Sequence, residues 1–341
     1  MANADRAGGT SVRSAHDKGV SRTMKLKVLF HDRCFDGLAS ASVFSRFYRE
    51  KIQPDAEIAY QGLAHQAGPV FPPGTFDGDE NVVVDFRYSD DPRLTWWFDH
   101  HQSAFPTPGD RSHFEADRSG QKFFDPKAKS CTKFLCDTVA ARFGFDAAPQ
   151  AELVHWAEII DGALFPDART AVELTEPALQ LMVGIEGSQD LEERRRIIGD
   201  MQRLPLSDVI RQPYAQALIQ PLLAAHRSTV ELLRKEARLE RGVVFFDLSR
   251  EGVEGFNKFI AYYLYPEARY TVGVTSSPSR AKVSVGSNPW RPTERRHDLS
   301  KICERYGGGG HAVVGAISLA PGEIAKARAV AQEIVTELQQ G

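Results

Sequence analysis

Hydrophobic positions in the first half of the chain fall into two alternating rhythms. Short apolar, aromatic or β-branched runs predict buried strands at Lys25–Phe30, Asn81–Val84 and Arg93–Phe98. Longer runs with three- and four-residue spacing predict helices at Leu38–Tyr48, Ser130–Phe145 and Ala151–Ile160. The second of these carries Cys131, Phe134, Leu135, Val139 and Phe143 on one face and closes at Gly144. Residues 54–80 are rich in Pro, Gly and Asp and predict loops with one short strand near Glu57–Tyr60, and residues 105–128 predict polar loop.

From 175 to 240 the pattern is helical throughout, with a highly charged stretch at 190–203 that reads as a solvated helix face. Strands return at 241–246, Tyr270–Ser276, Lys282–Ser287 and Ala316–Leu319. Helices are predicted at Phe256–Tyr265, Asp298–Arg305 and Glu323–Gln339. The fold class expected is α/β: a parallel-sheet domain flanked by helices over 24–204, a helical linker over 205–240, and a smaller α/β domain over 241–341. Residues 1–23, rich in Gly, Ser, Ala and Arg, predict a disordered tail without the apolar core of a secretory signal.

Composition narrows the function classes. The 341 residues are 42% hydrophobic and 26% charged, as in an ordinary globular protein. A net charge of −3 argues against a broad basic surface for long duplexes, and no apolar run is long enough to span a bilayer. Cys34, Cys131, Cys136 and Cys303 have no zinc-type spacing and read as reduced thiols in a cytoplasmic protein.

The chemistry gathers where predicted strands end. The first strand runs into His31-Asp32-Arg33-Cys34-Phe35-Asp36-Gly37 at the start of a helix, the second ends at Asp85, and the third ends in Asp99-His100-His101. A carboxylate just past an apolar strand is either a turn cap or a ligand. In a parallel sheet, however, the C-ends of neighbouring strands lie side by side, where such folds place ligands. Asp161-Gly162 closes the helix at Ala151–Ile160. Asp32, Asp36, Asp85, His100 and Asp161, with His31 and His101 nearby, are mostly hard oxygen donors with a minority of imidazole. That mixture suits Mn²⁺ or Mg²⁺ better than zinc. More than four candidate ligands imply two ions, an arrangement suited to in-line attack on phosphorus. In the second half, Gly307, Gly308, Gly309 and Gly310 precede His311 and form either a hinge or a backbone cradle for an anion. Arg295 and Arg296 add anion-pairing groups, and Asn257 and Asn288 are candidate base or sugar contacts.

These residues, in this order, resemble the DHH phosphoesterase family with its associated C-terminal domain. His31-x-x-Cys34-x-Asp36-Gly37 resembles the first motif, Val82-Val-Val-Asp85 the second, Asp99-His100-His101 the third and Ile159-Ile-Asp161-Gly162 the fourth. Gly307-Gly-Gly-Gly-His311 resembles the glycine-rich substrate motif of the C-terminal domain. The resemblance covers residues 24–341. It implies an active site in the interdomain cleft, with Asp36, His100 and Asp161 holding one Mn²⁺, Asp85 bridging two, and His31 or Asp32 helping to hold the other. It further implies that Asp99 orients an imidazole, that His101 meets the scissile phosphate and assists the leaving group, and that the Gly307–His311 loop holds the far end of the substrate. Cys34 departs from the Asp-x-Asp form of the first motif that many members carry. Asp32 matches an acid of the RecJ-like branch. Relatives resembling short-oligonucleotide ribonucleases share the Cys form and the stretch Asn257-x-x-Ile-Ala-Tyr-Tyr-Leu-Tyr-Pro266.

The function expected is Mn²⁺-dependent hydrolysis of short single-stranded oligonucleotides by metal-activated water, with Mg²⁺ as the alternative ion and homodimerisation left open. The competing readings are a 3′-phosphoadenosine 5′-phosphate phosphatase, a cyclic or linear dinucleotide hydrolase, and a nucleotide-binding module without catalysis.

Overall fold

The computed structural model describes residues 23–64, 70–253 and 255–340. The predicted tail therefore lies outside the described residues, apart from its last position. The chain runs β1 (Lys25–His31), α1 (Phe35–Lys51), β2 (Glu57–Leu63), β3 (Glu80–Val84), β4 (Trp96–Asp99), α2 (Pro108–Ala116), β5 (Lys122–Phe124), α3 (Cys131–Phe143) and α4 (Ala151–Asp161). It continues through α5 (Ala168–Glu173), α6 (Pro177–Gly187), α7 (Leu191–Met201), α8 (Leu206–Val209) and α9 (Pro213–Glu236). The remainder is β6 (Arg238–Glu240), β7 (Val243–Asp247), α10 (Ile260–Leu264), β8 (Tyr270–Ser277), β9 (Arg280–Ser287), α11 (Leu299–Glu304), β10 (Gly309–His311), β11 (Val314–Leu319) and α12 (Ile324–Gln339).

The first sheet is wholly parallel, in the order β2-β1-β3-β4-β5. Its strands are apolar on both sides because both faces are covered. Leu26, Val28, Phe30, Val82, Val84, Trp96 and Phe98 face a core shared with α1 and α3. Leu29, Val83 and Trp97 face an aromatic cluster with Tyr88, Phe105 and Phe114. The strand order turns one way from β1 to β2 and the other way from β1 to β3, so the crevice between β1 and β3 is the switch point. Register does the rest. Phe30 pairs with Val84 and Val84 with Phe98, so His31, Asp85 and Asp99 emerge side by side at that crevice.

Helix α1 lies close over the end of β1. A Cβ on Gly37 would stand 2.2 Å from the His31 carbonyl oxygen, a backbone atom that cannot rotate away. Gly37→Ala is expected to cost about 3 kcal/mol, at the upper end for overpacking. Urea unfolding checks this, and an unchanged midpoint would contradict it.

The second sheet has the order β10-β11-β9-β8-β7-β6 and is antiparallel except for β7 against β8, whose connection passes through α10. Helix α12 packs Ala331 and Ile334 against Val272, Val274 and Val283. Helix α9 serves both units: Ile219 and Leu223 lie in the first core, while Val230 and Leu233 pack with Val244 and Phe246 of the second.

Three predicted spans are corrected. Residues 105–128 contain α2 and β5 rather than loop alone; α2 buries no residue, so it shows no apolar rhythm. Its signal was the capping box of Thr107 and Asp110, with Pro108 opening the helix. The strand near Glu57–Tyr60 extends to Leu63. The helix expected over Phe256–Tyr265 shrinks to Ile260–Leu264. Asn257 Oδ1 takes up the Phe259 N–H ahead of it, and Tyr265 precedes a proline.

Candidate metal centre

Five loops and helix ends converge at the crevice. His31 ends β1, and its Nδ1 lies 3.3 Å from Asp85 Oδ2. Asp85 follows β3, is fully buried, and holds a left-handed backbone with φ of +57°. A non-glycine residue in that conformation is held there by its surroundings, a common mark of functional sites. His100 Nε2 lies 3.5 Å from Asp85 Oδ1, 3.3 Å from Asp161 Oδ2 and 3.9 Å from Asp36 Oδ2. Its Nδ1 faces the Ala128 carbonyl at 3.1 Å, an atom that only accepts. The ring proton therefore belongs on Nδ1, and Nε2 is the nitrogen left for a ligand.

Asp36, in the first turn of α1, is buried and accepts the Cys131 N–H at 2.6 Å and the Thr132 N–H at 3.0 Å. It thus caps the start of α3, whose third amide is taken by the Ser130 hydroxyl. His101 Nδ1 lies 2.7 Å from Asp99 Oδ1, which also accepts the backbone N–H groups of His100 at 2.8 Å and His101 at 3.2 Å. This places the proton on Nδ1, directs Nε2 away from Asp99, and leaves the imidazole partly exposed.

Among the described residues two groups of three donors result: His31, Asp85 and His101, and Asp36, Asp85 and His100. Within each group the ligand atoms lie within 4.8 Å of one another, and Asp85 belongs to both. Asp161 extends the second group through its approach to His100.

The electrostatics fit divalent cations. Burial pushes the Asp36 carboxyl well up, and Asp85 and Asp161 push it further. Asp161 is raised to about 6, first by burial and then by Asp85. Burial also opposes ionisation of Asp85, but contacts with His100 and His31 outweigh it and bring that carboxyl to about 2. His100 loses stability as a cation through burial, yet Asp85 and Asp36 raise it to about 10. Protons thus hold this crowd of acids together, the role that metal ions take over. Asp85 Oδ1 and His100 Nε2 are, moreover, buried atoms without a well-formed hydrogen bond among the described residues. Metal binding near pH 7.5 is expected to release a proton from His100, so affinity rises as pH rises toward 10. Calorimetry in buffers of different ionisation enthalpy checks this, and zero net release would contradict it.

The remaining predicted residues fall elsewhere. Asp32 does not join either group; its carboxylate pairs with Arg194. The Cys34 thiol is near the cluster, since burial and then Asp85 and Asp36 push it well up, but it is in neither donor group. Asn257 and Asn288 hold backbone. Asn257 donates to the Ala171 carbonyl at 2.6 Å, and the buried Asn288 donates to Ala268 at 2.8 Å and accepts from Trp290 at 3.0 Å. Both amides therefore have structural work where base or sugar contacts were expected. Gly309, Gly310 and His311 form the edge strand β10, with Gly307 and Gly308 leading into it. A Cβ at Gly308 or Gly310 would stand 2.3 Å from a β11 carbonyl, so close strand approach explains these two glycines. Arg295 donates to the Ala312 carbonyl at 3.0 Å, and Arg296 uses its N–H on the Tyr270 hydroxyl at 2.6 Å. A cavity of about 370 Å³ lies between Ala163, two residues past Asp161, and the second domain's Phe259, Tyr262, Asn288 and Arg295.

No family profile matches the sequence, and no curated protein matches it. Solved structures do. The pGpG-specific phosphodiesterase PggH from Vibrio cholerae superposes with a TM-score of 0.62 at 17% identity, covering 92% of this chain and 99% of that one. RecJ from Thermus thermophilus, in complex with Mn²⁺, superposes with a TM-score of 0.50 at 14% identity, covering 92% of this chain and 52% of that one. Among the described residues no helix is long and apolar enough to cross a membrane. The chain thus shares the two-domain α/β fold of these structures.

Proposed function

We propose that this protein is a DHH-family phosphodiesterase that hydrolyses short oligonucleotides with Mn²⁺, or Mg²⁺ in its place. The observation that carries the reading is Asp85 shared between two donor groups, each completed by residues from other strands or helices. His31 would hold one ion with Asp85, beside His101, and Asp36, His100 and Asp161 would hold the other. When bound, the two ions supply positive charge to the phosphate oxygens and lower the pKa of a water.

The chain's own residues supply positioning and proton transfer. Asp99 orients His101 through Nδ1, and that contact raises the imidazole against the opposing effect of burial. A protonated Nε2 can then donate to the departing oxygen. Asp36 is fixed by the α3 amides, and His100 by the Ala128 carbonyl, so the donors need little rearrangement on loading.

Short substrates are favoured by the net charge of −3, which suits local contacts rather than a long basic track. The near-complete match in length with a protein named for cleaving pGpG supports the same reading. The test is a panel of RNA from two to five nucleotides, a long duplex, 3′-phosphoadenosine 5′-phosphate, and linear and cyclic dinucleotides, each with Mn²⁺. Turnover falling steeply beyond five nucleotides is expected. Preference for the 3′,5′-bisphosphate or the cyclic form would move the substrate assignment, and binding without turnover of any member would make the chain a nucleotide-binding module.

A further inference from the structure

The charged stretch 190–203 reads as a solvated face, yet Arg194 is only 4% exposed. Its guanidinium reaches across the fold to Asp32: Nε lies 2.7 Å from Oδ1, and Nη2 donates to Oδ2 at 3.2 Å. Nη1 donates to the carbonyl of Ser188 at 3.0 Å, and Ser188 is fully buried. The Asp32 carboxylate also accepts the Arg33 N–H at 3.1 Å. It lies against Gly62, where a Cβ would come within 2.5 Å of Cγ and within 2.8 Å of both oxygens. Arg33, with φ of +53°, donates from Nη2 to Gln189 Oε1 at 2.8 Å. The turn between His31 and Cys34 is therefore tied at two points, to Arg194 in α7 and to Gln189 just ahead of it.

We propose that Arg194 is a positioning residue: it holds Asp32 out of the metal centre and sets the β1–α1 turn that presents His31. This rests on the metal centre proposed above. A planar guanidinium suits such a two-point grip, and a buried carboxylate left without its partner would be costly. The two ion sites are then unequal. The Asp36 side has carboxylates from Asp36, Asp85 and Asp161 with one imidazole. The His31 side has the His31 imidazole and the shared Asp85, with the His101 ring beside them.

The test is Mn²⁺ stoichiometry and affinity for the full chain, read by electron paramagnetic resonance and equilibrium dialysis, with circular dichroism to monitor the fold. Asp32→Asn, whose amide oxygen still accepts from Arg194, is expected to keep both ions, with affinities within about threefold of the unaltered protein. Arg194→Lys keeps the charge but loses the fork. It is expected to weaken the ion on the His31 side, by no more than the about 10- to 100-fold lost when a hydrogen-bonded outer partner of a ligand is removed, and to leave the other unchanged. Gly62→Ala displaces Asp32 by shape alone, is expected to weaken the same ion, and decides the matter if Arg194→Lys does not fold. Loss of one ion in Asp32→Asn would make Asp32 a ligand and overturn the proposal. So would unchanged affinities in both Arg194→Lys and Gly62→Ala. An unaltered protein that binds no Mn²⁺ would instead overturn the metal centre itself, and this inference with it.

Discussion

Asp85→Asn is expected to lower turnover by on the order of 10³-fold or more while leaving the protein folded. Removing a single preorganised electrostatic group costs about 10²–10³-fold in other enzymes, and Asp85 belongs to both donor groups. Asparagine has nearly the same shape and tolerates the left-handed backbone that Asp85 adopts. It cannot supply the buried negative charge that His31 and His100 face. Bound Mn²⁺ should fall from two ions per chain to one or none. Wild-type metal content with wild-type turnover would show that Asp85 is not shared between ions. Asp85→Ala would add backbone strain and confuse the two effects, so Asn is the informative change.

His101→Gln is expected to lower kcat by about 10²–10⁴-fold, the range for losing a general acid. The deficit should depend on the leaving group. A nitrophenyl phosphodiester departs without needing a proton and should lose far less than a dinucleotide, whose ribose oxygen must be protonated. Asp99→Asn should show the same pattern more weakly, because it leaves the imidazole in place and removes only the carboxylate that orients it at 2.7 Å. His101 also belongs to the donor group with His31 and Asp85. A variant that loses one ion and fails equally on both substrates would make His101 a ligand rather than the acid.

Much of this site was legible because its parts sit at the ends of strongly patterned elements. Val82-Val-Val84 can hardly be anything but a buried strand, so Asp85 is placed by its neighbours. The same holds for Asp99-His100-His101 after Trp96-Trp-Phe98. Parallel pairing then brings the ends together, a consequence of topology that local reading can anticipate. What stayed hidden depends on partners distant in sequence. Arg194 meets Asp32 across 162 positions, and nothing local separates it from the arginines beside it. The amides of Cys131 and Thr132 that fix Asp36 lie some 95 residues away. Asn257 and Asn288 resemble ligand contacts in sequence because a side-chain amide bonds a backbone carbonyl and a nucleobase with the same groups. Only the positions of Ala171 and Ala268 reveal which they meet.

The shared-carboxylate cluster is expected to perform phosphodiester hydrolysis. This is tested most directly by stripping the protein with chelator, returning Mn²⁺ stepwise, and following cleavage of a 5′-labelled RNA dinucleotide alongside metal content. No cleavage by the stripped protein is expected, with activity rising as ions are restored and saturating at two per chain. Cleavage that persists after stripping, or none with two ions bound, would contradict it.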